Sequence, residues 1–181
     1  GAVVGLPTDT VYGIGVDPLN DAAVGRLFDL KGRPDHKPIG LLVASVEQAR
    51  MVGEIEGMAA ELASAHWPGA LTLIVTLRVI LANWVGDSQR STVGIRVPDH
   101  PVALELLEVS GPLAVTSANH SGGAEAKDDV EARAIFGAGV AVYLPGFSPC
   151  GEASTVVDAT GARLAVLPEG PVRLGLTALC G

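Results

Sequence analysis

The stretch Leu30-Lys31-Gly32-Arg33-Pro34-Asp35-His36-Lys37-Pro38 decides how the chain reads, because a helix ends in it and a strand comes directly after it. Upstream, Asn20 or Asp21 can cap a helix whose Val24, Leu27 and Phe28 share one face. Lys31 falls in its last turn and Gly32 is placed to end it. Pro34 and Pro38 stiffen the segment beyond the glycine, and Ile39 to Val43 has the length and apolarity of a buried strand. The same run gathers Lys31, Arg33 and Lys37 in a chain whose net charge is −8. A cation in the last turn complements the helix dipole, but that accounts for only one of them. An acidic chain has little electrostatic reason to collect the others unless an anion sits there. The run therefore reads as one wall of a nucleotide-phosphate site.

Outward from it, strands and helices keep alternating. Ser45-Val46-Glu47-Gln48 is a capping box opening a short helix. A further helix is expected from about Gly57 towards His66, with Met58, Leu62 and Ala65 as its packing stripe. Trp67-Pro68-Gly69-Ala70 turns into the strand Leu71 to Leu77, and the segment from Arg78 to Arg90 reads as a surface excursion. Thr92-Val93-Gly94-Ile95-Arg96-Val97-Pro98 alternates like a strand, with Thr92, Gly94 and Arg96 opposite Val93, Ile95 and Val97. Asp99 is expected to cap a helix led by Val102 and Leu106, and more weakly by Ala103 and Leu107. Leu113 to Thr116, Val140 to Leu144 and Leu164 to Leu167 are strands, and Asp128-Asp129 starts a helix carrying Val130, Ala134 and Ile135. At the start, Ala2 to Pro7 is a short buried strand delivering the polar loop Thr8-Asp9-Thr10-Val11-Tyr12-Gly13, where Gly13 and Gly15 allow close backbone approach. Because several strands are joined by short turns, the sheet is expected to be mixed.

The length of 181 residues fits one domain, 1–181, with room for a real core. Hydrophobic content of 48% is high, yet no apolar run approaches the roughly 20 residues of a membrane span. No signal peptide is visible; the chain reads as beginning inside a strand, which leaves room for residues upstream. A pI near 4.8 argues against broad binding to a nucleic-acid backbone while allowing a local basic pocket. Cys150 and Cys180 make neither a disulfide framework nor a metal-ligand spacing, and read as reduced thiols of a cytoplasmic protein. No two histidines share a helix-face spacing, so a protein-built zinc site is not expected.

Four polar clusters fall at strand ends, where open α/β sheets place ligands. They are Pro7-Thr8-Asp9-Thr10, the Lys31/Arg33/Lys37 wall, Ser117-Ala118-Asn119-His120-Ser121-Gly122, and Ser154-Thr155. Hydroxyls, amides and backbone N–H groups at such turns hold anions, and Arg33 adds a planar fork where Lys31 is a point charge. This suits phosphoryl or adenylyl chemistry, which depends on positioning and charge stabilisation. Neither a Walker-type loop nor Gly-x-Gly-x-x-Gly is present.

In this order the clusters resemble the YrdC-like family of threonylcarbamoyl-adenylate synthases. The matching stretches are Pro7 to Gly13, Lys31-Gly32-Arg33-Pro34 with Lys37-Pro38, and Trp67-Pro68-Gly69-Ala70-Leu71-Thr72. Val93 to Pro98, Ser117-Ala118-Asn119 and Ser154 to Asp158 complete the set. The resemblance implies a short, single-domain, TsaC-type member: a twisted open mixed sheet flanked by helices, with a deep cleft. It implies that L-threonine, bicarbonate and ATP, with Mg2+, give threonylcarbamoyl-adenylate and pyrophosphate. Partner proteins then use the product to modify adenosine 37 of tRNAs.

Carried over by position, Thr10, Arg96, Ser117 and Ser154 would hold threonine, with Arg96 on its carboxylate. Lys31, Arg33, Thr92 and Asn119 would hold ATP, with Lys37 beside them, and Lys31 and Arg33 would stabilise charge as pyrophosphate leaves. The chain departs from the pattern in three places. Almost nothing precedes Pro7, Glu125-Ala126-Lys127 stands where a serine or threonine is common, and Leu167-Pro168-Glu169-Gly170 replaces a Leu-Arg-x-Gly turn, with Arg173 nearby. The other readings are a catalytically weak paralogue that binds nucleotide or double-stranded RNA, and a carbamoyl-adenylate-forming relative. The acidic balance counts against direct tRNA binding.

Overall fold

The computed structural model describes residues 1–32 and 38–174. Arg33 and Lys37, two of the three wall cations, and Cys180 therefore lie outside the described residues. Within them, β1 (Val4–Leu6) and β2 (Gly13–Val16) lead into α1 (Asp21–Lys31). Then come β3 (Gly40–Leu42), α2 (Val46–Val52), α3 (Gly57–His66), β4 (Leu71–Thr76) and β5 (Thr92–Arg96). α4 (Pro101–Ser110), β6 (Leu113–Ser117), α5 (Asp129–Phe136), β7 (Val142–Tyr143), β8 (Thr155–Asp158) and β9 (Ala165–Val166) complete the order. The strands form one sheet in the order β7-β1-β2-β6-β3-β5-β4-β8-β9. It is mixed, as expected: β3 and β5 run parallel, while β6 is antiparallel to both β2 and β3. No helix among the described residues is long and apolar enough to cross a membrane.

Local chemistry explains the ends of the elements. Asn20 caps α1 by accepting from the Ala23 N–H at 3.0 Å, and Gly32 closes the helix at φ 57°, a left-handed conformation that glycine adopts without strain. Ser45 accepts from the Gln48 N–H at 3.2 Å. Gln48 reaches back to the Ala44 N–H and also donates to the Leu107 carbonyl, tying α2 to α4. The cap position of α4 is His100, one residue after the expected Asp99, and its side chain makes no capping hydrogen bond.

Side-chain alternation divides the sheet. Ile14, Leu41, Leu73, Ile95 and Val157 point to one face, packed beneath buried residues of α1, α2, α3 and α5. Each fully buried aliphatic side chain of this kind stabilises the fold by about 1.5–3 kcal/mol. On the other face Leu6, Leu42 and Leu113 pack under Ala103 and Leu107 of α4. The rest of that face carries Gly40, Thr72, Gly94 and Arg96 and is not covered by a helix among the described residues.

Several expectations shift. Gly13 and Gly15 belong to a strand, β2, rather than to a loop. A Cβ at either position would fall 2.8 or 2.9 Å from the Val115 side chain, so these glycines let β2 lie against β6. The helix faces are rotated from expectation: α3 buries Ala59 and Ala63, and α5 buries Ala132 and Phe136 while Val130 is exposed. In α4, Ala103 and Leu107 lead, not Val102 and Leu106. In α3, short side chains let the helix pack closely, and this outweighs the stripe of larger residues. The excursion after β4 is anchored, since Val85 is buried and the Ile39 N–H donates to the Trp84 carbonyl.

Candidate active site

Two adjoining cavities occupy the open face, where one deep cleft is expected. The smaller, of about 230 Å³, is lined by Thr10, Arg96, Ser117 and Ser154, the four residues expected to hold an amino acid. They come from four separate segments: the loop after β1, the end of β5, the end of β6 and the turn into β8. The larger, of about 380 Å³, is lined by Thr92 together with Ile74, Val156 and Leu167. Gly40, Thr72 and Gly94 line both. A Cβ on Gly40 would sit 2.9 Å from the Gly94 carbonyl oxygen, so the floor at Gly40 has to stay bare backbone.

Arg96 is 6% exposed and held on three sides. Its Nε donates to the Gly69 carbonyl at 2.9 Å and its Nη1 to Thr10 Oγ1 at 2.7 Å. Its Nη2 donates to Asp9 Oδ1, which also accepts from the Asp99 N–H. Burial pulls the Arg96 pKa down and the Asp9 carboxylate opposes that pull. An arginine starts so far above neutrality that it stays charged. The fork keeps N–H groups beyond these three, which suits a second carboxylate. Thr10 is fixed in turn: its N–H donates to Thr8 Oγ1 at 3.1 Å, and its carbonyl accepts from the Gly151 N–H at 2.9 Å.

Lys31 is 4% exposed at the end of α1. Its Nζ donates to the Ser117 carbonyl at 2.6 Å and to Asn119 Oδ1 at 2.8 Å. Ser117 Oγ donates to the same Asn119 oxygen at 2.8 Å, and Asn119 Nδ2 donates to the Gly123 carbonyl at 2.7 Å. The buried ammonium is thereby aimed at the end of β6, beside the smaller cavity. Ser154 Oγ lies 2.7 Å from Thr72 Oγ1, closing the opposite wall. Arg173, the nearby cation in the Leu167-Pro168 region, pairs with Glu169 at 2.7 Å and lines neither cavity.

The sequence reading misses Thr72, Asp9 and Arg90. Thr72 shares a face with Ile74 and, across the strand pair, with Gly94, so period-two alternation could have found it. Asp9 reads only as part of a polar turn, although its carboxylate fixes Arg96. Arg90 lines the larger cavity from a segment that reads as surface.

The chain matches a family model described as "Telomere recombination", Sua5_yciO_yrdC, over residues 1–170. A Mycobacterium tuberculosis protein (strain CDC 1551 / Oshkosh) named "Putative threonylcarbamoyl-AMP synthase" is 47% identical over 174 residues, 95% of this chain and 80% of that protein. Among solved structures, P. abyssi Sua5 complexed with L-threonine superimposes with a TM-score of 0.85 at 34% identity. That match covers 92% of this chain and 49% of the other, so this chain spans about half of that protein. E. coli YciO gives a TM-score of 0.85 at 26% identity, covering 94% of this chain and 84% of the other.

Proposed function

The chain belongs to the Sua5/YciO/YrdC family, and from that premise we propose that it is an L-threonylcarbamoyladenylate synthase, a nucleotidyltransferase. It joins L-threonine, bicarbonate and ATP into threonylcarbamoyl-adenylate and pyrophosphate. The observation that carries this reading is the convergence of Thr10, Arg96, Ser117 and Ser154 on one cavity. That cavity shares its floor with a second one large enough for part of a nucleotide.

In this reading Arg96 pairs with the threonine carboxylate, and Thr10 sets the angle of its guanidinium. The amino group, after its ammonium form has lost a proton to solvent, takes up the carbon of bicarbonate to give a carbamate and water. The carbamate oxygen then attacks the α-phosphorus of ATP, and the bond to the β,γ-pyrophosphate breaks. Lys31, held by Ser117 and Asn119, places a fixed positive charge where the phosphate carries its greatest negative charge. Arg33 and Lys37 would add to it, with Thr92 on the nucleotide side. Mg2+, bound to the triphosphate, would supply charge neutralisation there. Among the described residues no three His, Cys, Asp or Glu side chains converge as metal ligands. The adenylate is consumed by partner proteins that modify tRNA in the cytoplasm.

Pyrophosphate release from ATP, with L-threonine and bicarbonate left out in turn, tests the proposal. Release that requires both is the expected result. Release indifferent to threonine would favour the carbamoyl-adenylate relative, and no release despite ATP binding would leave a binding module.

A further inference from the structure

The larger cavity has one lysine or arginine in its lining among the described residues, Arg90. Arg90 Nη2 donates to Asp158 Oδ2 at 2.9 Å, joining the excursion after β4 to β8. Asp158 lies on the same face of β8 as Val156, a wall of this cavity, and the lining itself includes one carboxylate, Asp87. An anionic ligand entering here therefore meets one lining carboxylate, Asp87, and one cation already engaged by Asp158. The arginine side chain is 55% exposed, so water screens the pair and opening it costs little. Asp158 has other partners, since its Oδ1 accepts from the Thr160 N–H at 3.0 Å and hydroxyl at 2.6 Å. It can release the arginine without becoming an orphan.

We propose that Arg90 is a nucleotide-binding residue held in reserve by Asp158: the arginine leaves its partner for the phosphate-bearing ligand, and Asp158 opposes binding in the empty cavity. This rests on the nucleotide reading of that cavity. A group that serves only to brace the wall behaves differently. If the pair is a brace, breaking it from either side has the same effect. If Arg90 is exchanged to the ligand, the two sides have opposite effects.

ATP binding by calorimetry to the full chain, with adenosine as the uncharged probe, separates these cases. Arg90→Ala is expected to weaken ATP about fivefold, and Asp158→Asn to tighten it about threefold, as for one partly screened charge contact. Both effects should shrink in high salt, and adenosine binding should stay unchanged. Asparagine keeps the oxygen that Thr160 uses, and an unchanged far-UV circular dichroism spectrum checks that β8 is intact. ATP affinity that moves the same way in both variants, or in neither, overturns the exchange while leaving the proposed function standing. An equal shift for adenosine also overturns it. A parent protein that binds no ATP overturns the proposed function and this inference together.

Discussion

Alternate residues of the same strands face opposite surroundings. In β4, Leu71, Leu73 and Val75 are buried under helices, while Thr72 and Ile74 line the cavities. In β5, Val93 and Ile95 join the core, while Thr92, Gly94 and Arg96 form cavity wall. One face is selected for volume and close contact; the other mixes aliphatic wall, Ile74 and Val156, with glycines and with polar groups such as Thr72 and Arg96. The helix-covered face thus makes the open one rigid. Arg96 and Thr72 stand on strands whose other side is fixed by packed aliphatic residues, which is what a site needs to hold a substrate geometry.

This division can be broken one face at a time. The largest effect on the fold is expected from Leu73→Ala, which removes a fully buried side chain. It should cost about 2–5 kcal/mol in denaturant unfolding. The fraction still folded should also show raised KM values; unchanged KM values would show that the packed face does not hold the open one in shape. On the open side, Lys31→Met should slow pyrophosphate release by roughly a hundred- to a thousandfold, as for loss of one charge-stabilising donor. A change under tenfold in single-turnover assays would remove Lys31 from the reaction.

Arg96→Ala should raise the threonine KM by about a hundredfold with a far smaller change for ATP, consistent with a lost bidentate ion pair. It also strands the Asp9 carboxylate, so Arg96→Lys should be compared: it restores the charge but not the fork. Equal KM changes for both substrates would move Arg96 out of the amino-acid subsite.

The smallest effect concerns acid. Hydrogen bonds from Thr160 lead in lowering the Asp158 pKa, with Arg90 helping. Since the folded value lies below the unfolded one, its stabilisation is complete above about pH 4 and is lost as pH falls further. Asp158→Asn should therefore lose less melting temperature than the parent protein between neutral pH and pH 3. Parallel acid curves would show that the Asp158 hydrogen bonds add nothing to stability.

Much of the open face is readable from the sequence because its residues break local rules. Thr92, Gly94 and Arg96 interrupt an otherwise aliphatic strand, and Ser117-Ala118-Asn119 ends one abruptly. The alternation rule alone puts the three on one side. The helix-covered face is less readable in detail. A periodic count favours the large Met58 and Leu62 over Ala59 and Ala63, whereas close packing against a sheet favours the small residues. β2 is hidden because Gly13 and Gly15 lower its strand propensity, and only the nearby Val115 side chain explains them. Asp9 and Arg90 act through partners distant in sequence, Arg96 and Asp158, which local patterns do not link.

The sheet's outermost strands are its shortest. β7 and β9 have two residues each, at opposite ends of the strand order. A nearly half-hydrophobic chain with a wide sheet carries the hazard that exposed strand edges recruit further copies and begin a fibril. Margins of two residues present few unpaired backbone groups to an incoming strand, too few to template a ladder. Lengthening either margin by substituting β-branched residues around it should make the protein more prone to aggregate during refolding, even where its melting temperature rises.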